Sequence, residues 1–320
     1  MTRRSSIVMR VREPADPSIL RRAVARRGIA LPRLWQANLP LLLILPSVVL
    51  ALAIIVYPFF VILRLSFANV SPFGQVRGFV GLTNYANVLA DPIFYGSLLR
   101  TLVWTAAVVG GTVLISVPVA LVLQQDFHGR SIARTIVMLP WALSLAMAAI
   151  LWEWSFNSDY GMINAILRSA GLISAPVQWM ARADTAFPVE IGIGILVSIP
   201  FTSTIFQGGL SSIPTEMYEA ARIDGASGAQ QFRFLTLPLL QPFISIAVVL
   251  NIIHVFNSFP IIWVMTQGGP DNGTHILVTY AYELAFRLGR PGPAATVSVV
   301  MLGIVFAFTA FYLHLRRETV

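Results

Sequence analysis

Glu219-Ala220-Ala221-Arg222-Ile223-Asp224-Gly225-Ala226, followed by Phe232 and then Leu237-Pro238, is the stretch that decides how this chain is built. It is polar, yet it lies between apolar runs at 188–209 and 241–265 that would be insoluble as exposed helices. A short polar segment between two such runs is a loop that projects from a membrane protein into water. Its internal order is that of a docking element.

Outward from this loop the membrane reading extends to nearly the whole chain. Hydrophobic residues make up 56% of the sequence and charged residues 11%, with a mean hydropathy of +0.75. Soluble domains are about one quarter charged. Six segments are long enough to cross a bilayer, at 39–63, 99–123, 131–154, 188–209, 241–265 and 292–314,. In lipid every backbone polar group must be paired within its own segment, so each is expected to be a helix. The expected fold class is therefore all-α, a polytopic membrane protein of six transmembrane helices. Its parts are a basic tail over 1–38, a first membrane helix over 39–66, an outer loop over 67–98, a five-helix core over 99–314 that includes the loop at 211–240, and a C-terminal end at 315–320. Prolines at 46, 58, 118, 140, 200 and 260 fall in or near the spans and predict kinked helices around a cavity,.

Charge and composition exclude several classes. All 22 basic residues are arginine. A phosphate-binding ATPase loop needs a lysine, so any ATP-driven step would take place on a separate subunit, and no cofactor is expected in this chain. The chain has no cysteine, which removes disulfides and thiolate metal sites,. The net charge of +8 is not a nucleic-acid footprint, because nine arginines crowd into residues 1–38. That tail reads as a positive-inside signal, with Arg21, Arg22, Arg26 and Arg27 placed to touch anionic membrane lipid. No cleavable signal peptide is evident. With the tail inside, arginines divide fifteen to seven between the cytoplasmic and outer sides, but six to seven without it. The tail alone sets the expected orientation, which puts both termini and the Glu219 loop in the cytoplasm.

The loop itself has mechanical logic. Pro214 suits the first turn of a helix, Glu216 and Glu219 favour its positive end, and Gly225 suits a left-handed stop. Ser227 and Gln230 have capping-box spacing for a second short helix, and Pro238 and Pro242 mark the return to the membrane. Ala220 and Ala221 give the first helix a low face that a partner can approach closely, while Glu219 and Asp224 offer directional pairing to an arginine. A solvated connector is the alternative reading of the same residues.

Glu219-Ala220-Ala221 with Asp224-Gly225-Ala226, Phe232 and Leu237-Pro238 resembles the EAA motif of ABC importer permeases. Three further stretches are similar to the carbohydrate-uptake branch that contains maltose and glycerol-3-phosphate permeases. They are Tyr57-Pro58 with Ser66-Phe67, then Phe79-Val80-Gly81-Leu82-Thr83-Asn84-Tyr85, and Gly268-Gly269-Pro270. The resemblance covers residues 39–314 and implies the type I, MetI-like permease fold in a bacterial inner membrane. It implies a coupling helix seated in an ATPase subunit, with Glu219 as charged anchor, Ala220 and Ala221 as contact face and Gly225 as turn. It also implies the partners: a second homologous permease subunit, two ATP-binding subunits that hold ATP and Mg, and an extracytoplasmic solute-binding protein.

Polar side chains inside spans are pathway candidates. Asn251, His254 and Ser258 are spaced to share one helix face, and neutral donors and acceptors suit a sugar, oligosaccharide or polyol. The alternative is hydrogen bonding between helices. Trp141 beside Pro140 can stack on a sugar ring or simply pack, and Ser144, Ser198, Phe201 and Thr202 complete the set. Glu153, Glu190 and Glu283 read as solvated or ion-paired. His254 is a lone intramembrane histidine, so no metal site is expected, and His128 and His275 carry no visible chemistry. A secondary transporter driven by an ion gradient would lead one to expect paired ionisable residues deep in the spans and repeated halves. A membrane-embedded enzyme would need clustered Asp, His or Ser at catalytic spacing. None of these patterns is evident.

Overall fold

The computed structural model describes residues 43–317, with side chains through 310. The basic tail at 1–38, the first residues of the expected first span and the last three residues of the chain lie outside the described residues. The chain divides into two units, Met1–Phe59 and Phe60–Val320. In the first, the described residues belong to helix α1, which runs over Leu43–Ser66 and so continues into the second.

The second unit opens with a short antiparallel hairpin, β1 (Ala68–Val70) and β2 (Val76–Phe79), paired Ala68 to Phe79. Helix α2 (Thr83–Leu89) follows, then α3 (Pro92–Gln124), α4 (Arg130–Met138) with a tight turn at Leu139–Ala142, α5 (Leu145–Ser155) and α6 (Met162–Ser169). Next come α7 (Ala183–Ser211), α8 (Thr215–Ile223), α9 (Gly228–Phe256), α10 (Phe259–Met265), α11 (Leu277–Tyr282) and α12 (Pro291–Arg317).

Five described helices, α1, α3, α7, α9 and α12, are long and apolar enough to cross a membrane. The expected third span is a broken pair, Arg130–Ala142 and Leu145–Ser155, bent by 99°. Pro140 and the cap at Ser144 explain the break, since Ser144 Oγ accepts from the Met147 amide at 3.2 Å and starts a new helix,. Two helices begin earlier than hydropathy predicts. Asp91 caps α3 through the Ile93 amide at 2.9 Å, and α7 starts at Ala183.

Helix α9 differs most from expectation. The capping box at Ser227 and Gln230 is present, but the helix it starts is not short and runs unbroken into the membrane. A proline ring collides with the carbonyl four residues back in a regular helix. Ahead of Pro238 the turn widens, the Leu237 amide bonding to Phe232 O, which leaves room for the ring,. The same device precedes Pro58 in α1, where the Tyr57 amide bonds to Leu52 O. At its far end α9 stops at Phe256, well before the predicted 265. Pro260, in the first turn of α10, cannot continue the ladder,.

Three apolar clusters hold the second unit together, and α3 contributes to each. Trp104 packs with Ala149, Ile193 and Ile262; Phe94 with Leu277 and Val297; Ala120 with Phe206 and Leu240. In lipid, association of helices depends on close packing and hydrogen bonds rather than on water release. Gly194 shows this: a Cβ there would lie 2.9 Å from both Trp104 Cη2 and Val108 Cγ2. Trp104 Nε1 in turn donates to Val255 O on α9 at 3.0 Å. One indole thus joins α3, α7 and α9.

The sequence motifs outside the loop also pack on one another. Phe67 stacks on Phe79 and meets Tyr85 at a tilt, and the Tyr85 hydroxyl lies 2.9 Å from Ser66 Oγ. Buried Asn84 donates to Ser66 O and Ala68 O. The expected outer loop at 67–98 is therefore a folded hairpin and helix.

Candidate functional site: a projecting helix and a cavity between spans

Helix α8 stands on the turn after α7. Pro214 precedes it in extended conformation as its N-terminal boundary residue, rather than within the first turn. Its end is a complete left-handed cap: the Ala226 amide bonds to Ala221 O at 2.9 Å and the Gly225 amide to Arg222 O at 3.0 Å. Gly225 sits at φ +81°, where a side chain would be strained,. The inner face is anchored by the Tyr218 hydroxyl, 3.0 Å from Thr236 Oγ1 on α9. Ala221 is half-buried, whereas Glu219, Ala220, Asp224 and Gly225 are exposed.

Positions 216, 219, 220 and 223 share the outward face. Sequence reasoning singled out Glu219 and Ala220 there but missed Ile223, a residue 87% exposed. Its spacing of four from Glu219 was the available signal. An exposed isoleucine flanked by a carboxylate and an alanine makes a small amphipathic contact face.

The second feature is a cavity of about 360 Å³. Its lining includes Pro140 and Trp141 from the bend after α4, Ser198 and Phe201 from α7, and Asn251 and His254 from α9. Trp141 is exposed, and its ring centre lies 6.0 Å from that of Phe201. Ser198 Oγ donates to Gly194 O at 2.7 Å. Asn251 Nδ2 donates to Thr202 Oγ1 at 2.9 Å and to Ala247 O at 2.8 Å. Both amide protons are thereby spent within the protein, so the group Asn251 can offer a guest is its Oδ1 acceptor. The cavity combines two aromatic faces with neutral polar atoms. That chemistry suits a hydroxylated ring with apolar faces.

Five of the eight pathway residues read from sequence meet here: Trp141, Ser198, Phe201, Asn251 and His254. Ser144, Thr202 and Ser258 do not line the cavity. Ser144 caps α5, and buried Ser258 lies beyond the end of α9 as the residue before α10. The three-residue ladder of Asn251, His254 and Ser258 is therefore broken, because Pro260 ends helical continuity ahead of it. The two readings of Asn251 coincide, since it both bonds across helices and faces the cavity.

Glu190 also departs from expectation. It is fully buried in α7, with Oε1 accepting from Thr266 Oγ1 at 2.8 Å, and among the described residues it is neither solvated nor ion-paired. The early start of α7 carries it two turns into the helix. His275 has partners after all: Nε2 lies 3.4 Å from Glu283 Oε2, and its carbonyl accepts from Arg100 Nε at 2.9 Å. Glu283 also pairs with Arg287 at 3.8 Å. His275, Glu283 and Arg287 border a polar cavity of about 430 Å³ at the bundle end opposite α8. No group of three or more metal-ligating side chains occurs among the described residues.

Comparison with known proteins places this architecture. Residues 112–319 match the family model of the binding-protein-dependent transport system inner membrane component. A probable ABC transporter permease protein of Brucella suis is 54% identical over 282 residues, covering 88% of this chain and 98% of that one. The trehalose/maltose transport system permease protein MalF of Thermococcus litoralis is 33% identical, covering 88% of this chain and 95% of its own length. A crystal structure of a bacterial ABC transporter that imports the acidic polysaccharide alginate superposes with a TM-score of 0.80 at 21% identity, over 90% of this chain and 99% of that one. With its bundle, its projecting Glu219 helix and this breadth of similarity, the chain belongs to the inner-membrane permeases of binding-protein-dependent ABC transport systems.

Proposed function

We propose that this permease forms half of the translocation pathway for a sugar, oligosaccharide or polyol, and that the cavity at Trp141, Phe201 and Asn251 receives the solute. The observation that carries this reading is convergence: aromatic and neutral polar residues from three separate elements face one space. The carbohydrate named for the maltose/trehalose relative agrees with that lining. The bundle end bearing α8 faces the cytoplasm, and the hairpin end faces the solute-binding protein.

In this reading α8 docks on an ATPase subunit through Glu219, Ala220 and Ile223, with Ala221 beneath and Asp224 and Gly225 shaping the end. Two such subunits hold ATP and Mg, and a second, homologous permease completes the pathway. Nucleotide-driven closure displaces α8, and the cavity alternates between the two sides of the membrane. This chain makes and breaks no bond.

The test is ATP hydrolysis and solute uptake by the reconstituted complex, intact and with Glu219→Ala plus Gly225→Pro. An assembled variant that loses both binding-protein-stimulated hydrolysis and uptake is the expected result. Uptake that persists without ATP and follows an ion gradient would overturn the reading.

A further inference from the structure

A groove of about 420 Å³ lies between α4 and the ends of α3 and α7, at the bundle end that carries α8. Its polar lining is Gln124, Arg130, Arg134, Thr204, Gln207 and Ser211. Arg130 and Arg134 are four residues apart and so share one face of α4. Gln124 Nε2 donates to Ser211 Oγ at 3.3 Å, joining the ends of α3 and α7.

The groove holds more donors than acceptors. A guanidinium has five N–H groups. Arg134 spends one, from Nη2 to Gln207 Oε1 at 2.9 Å. Arg130 spends two, from Nε to Leu123 O at 2.8 Å and from Nη1 to Asp126 Oδ1 at 2.7 Å. Arg134 pairs with no carboxylate among the described residues, whereas Arg130 is ion-paired with Asp126, a pair whose 97% exposed carboxylate holds it only weakly in water,. The hydroxyls are already committed: Ser211 Oγ donates to Gln207 O and Thr204 Oγ1 to Pro200 O, each at 2.8 Å. Arg130 and Ser212 likewise cover carbonyls at the ends of α3 and α7. What remains is a set of uncommitted guanidinium N–H groups on exposed Arg134 and half-buried Arg130, both lining the groove, with Gln207 holding one Arg134 nitrogen. Forked donors of this kind match phosphate oxygens.

We propose that this groove binds a phosphate-bearing anion, either a phospholipid headgroup or a free phosphate, with Arg134 as the principal ligand and Arg130 as the second. The groove touches the last turn of α7, and Ser211 lies only four residues before Thr215, where α8 begins. An occupant would therefore tie α3, α4 and α7 together at the root of the projecting helix. Like-charged, solvated arginines are the competing account.

The complex is placed in phosphatidylcholine nanodiscs with and without phosphatidylglycerol, and retained phosphatidylglycerol is counted by native mass spectrometry. In parallel, inorganic phosphate is titrated calorimetrically in pure phosphatidylcholine. Retention of phosphatidylglycerol alone identifies the headgroup as the source, and calorimetric binding alone identifies free phosphate. Either is expected to weaken by about tenfold or more in Arg134→Gln with Arg130→Gln, and to be unchanged in Arg77→Gln, which removes a charge from the hairpin. Arg134→Lys keeps the charge without the fork and is expected to bind with intermediate strength, so the test stays readable if the double variant fails to assemble. Absence of both signals, or signals equal in intact and Arg-substituted proteins, overturns the site. Neither readout depends on uptake or ATP hydrolysis, so its failure is separable from failure of the transport reading.

Discussion

Replacing Gly194 by alanine tests whether the contact between α3 and α7 is as tight as the structure has it. The added methyl would meet Trp104 Cη2 and Val108 Cγ2, both at 2.9 Å. Overpacking of this kind costs about 1–3 kcal/mol, and the better helix propensity of alanine returns about 1. A net loss of about 1 kcal/mol follows. Trp104→Phe alone removes the indole N–H bond to Val255 O, which in a membrane protein is worth about 0.6–1.7 kcal/mol, and leaves unfilled volume. In the double variant the ring edge that collides with the methyl is gone, while the contact with Val108 remains. The two substitutions are therefore expected to couple favourably, by about 1 kcal/mol relative to their sum. The assay is equilibrium unfolding of the four proteins of the cycle in mixed micelles of rising dodecyl sulfate fraction, followed by circular dichroism. Additivity within about 0.3–0.5 kcal/mol, the level shown by independent sites, would refute the claim that these side chains share one space.

Other expectations follow from the same geometry. Thr202→Val is expected to lower stability by about 0.6–1.7 kcal/mol by stranding an Asn251 proton, and to add little in an Asn251→Leu background; unfolding of the four combinations reads this out. Ile223→Asp is expected to weaken ATPase-subunit association in pull-down and reduce coupled hydrolysis while the permease still inserts and folds; full coupling in that variant would remove Ile223 from the contact face. Burial holds the His275 imidazole below its ordinary value of 6.5, with Arg100 and Arg287 lowering it further and Glu283 opposing them. The unfolded chain then takes up a proton first, so stability is expected to fall as the pH drops through 6.5 towards the lower folded value. Thermal melts over that range should show the loss, and His275→Gln should flatten it.

Much of this molecule is legible from residue order, for reasons that are local. Span count follows from apolar length, and the Glu219 loop announces itself through a glycine, a serine cap and two prolines, each acting on its own neighbourhood. The departures arise where a local signal meets a non-local one. Apolar residues up to 265 continue the hydropathy of α9, yet Pro260 divides the run and removes Ser258 from the face it was assigned. Conversely, Pro238 looks like a boundary, but a widened turn absorbs its ring. Glu190 looks peripheral by hydropathy, and only the extent of α7 and the position of Thr266 show that it is enclosed. The cavity itself draws on the bend after α4, whose 99° angle no periodicity encodes.

The widened turn before Pro238 has a consequence for how motion could cross this protein. Because it keeps Gly228–Phe256 as one helical run, that run extends for roughly 42 Å at about 1.5 Å per residue. One end lies beside the tip of α8, tethered through Gln231 Nε2 to Ala226 O at 2.9 Å, and the other carries Asn251, His254 and the carbonyl that holds Trp104. Had the proline broken the helix, a flexible joint would separate the two. As built, α9 is one helical run with Pro242 inside it, and a tilt imposed at Ser227 has a continuous helical path to the cavity wall.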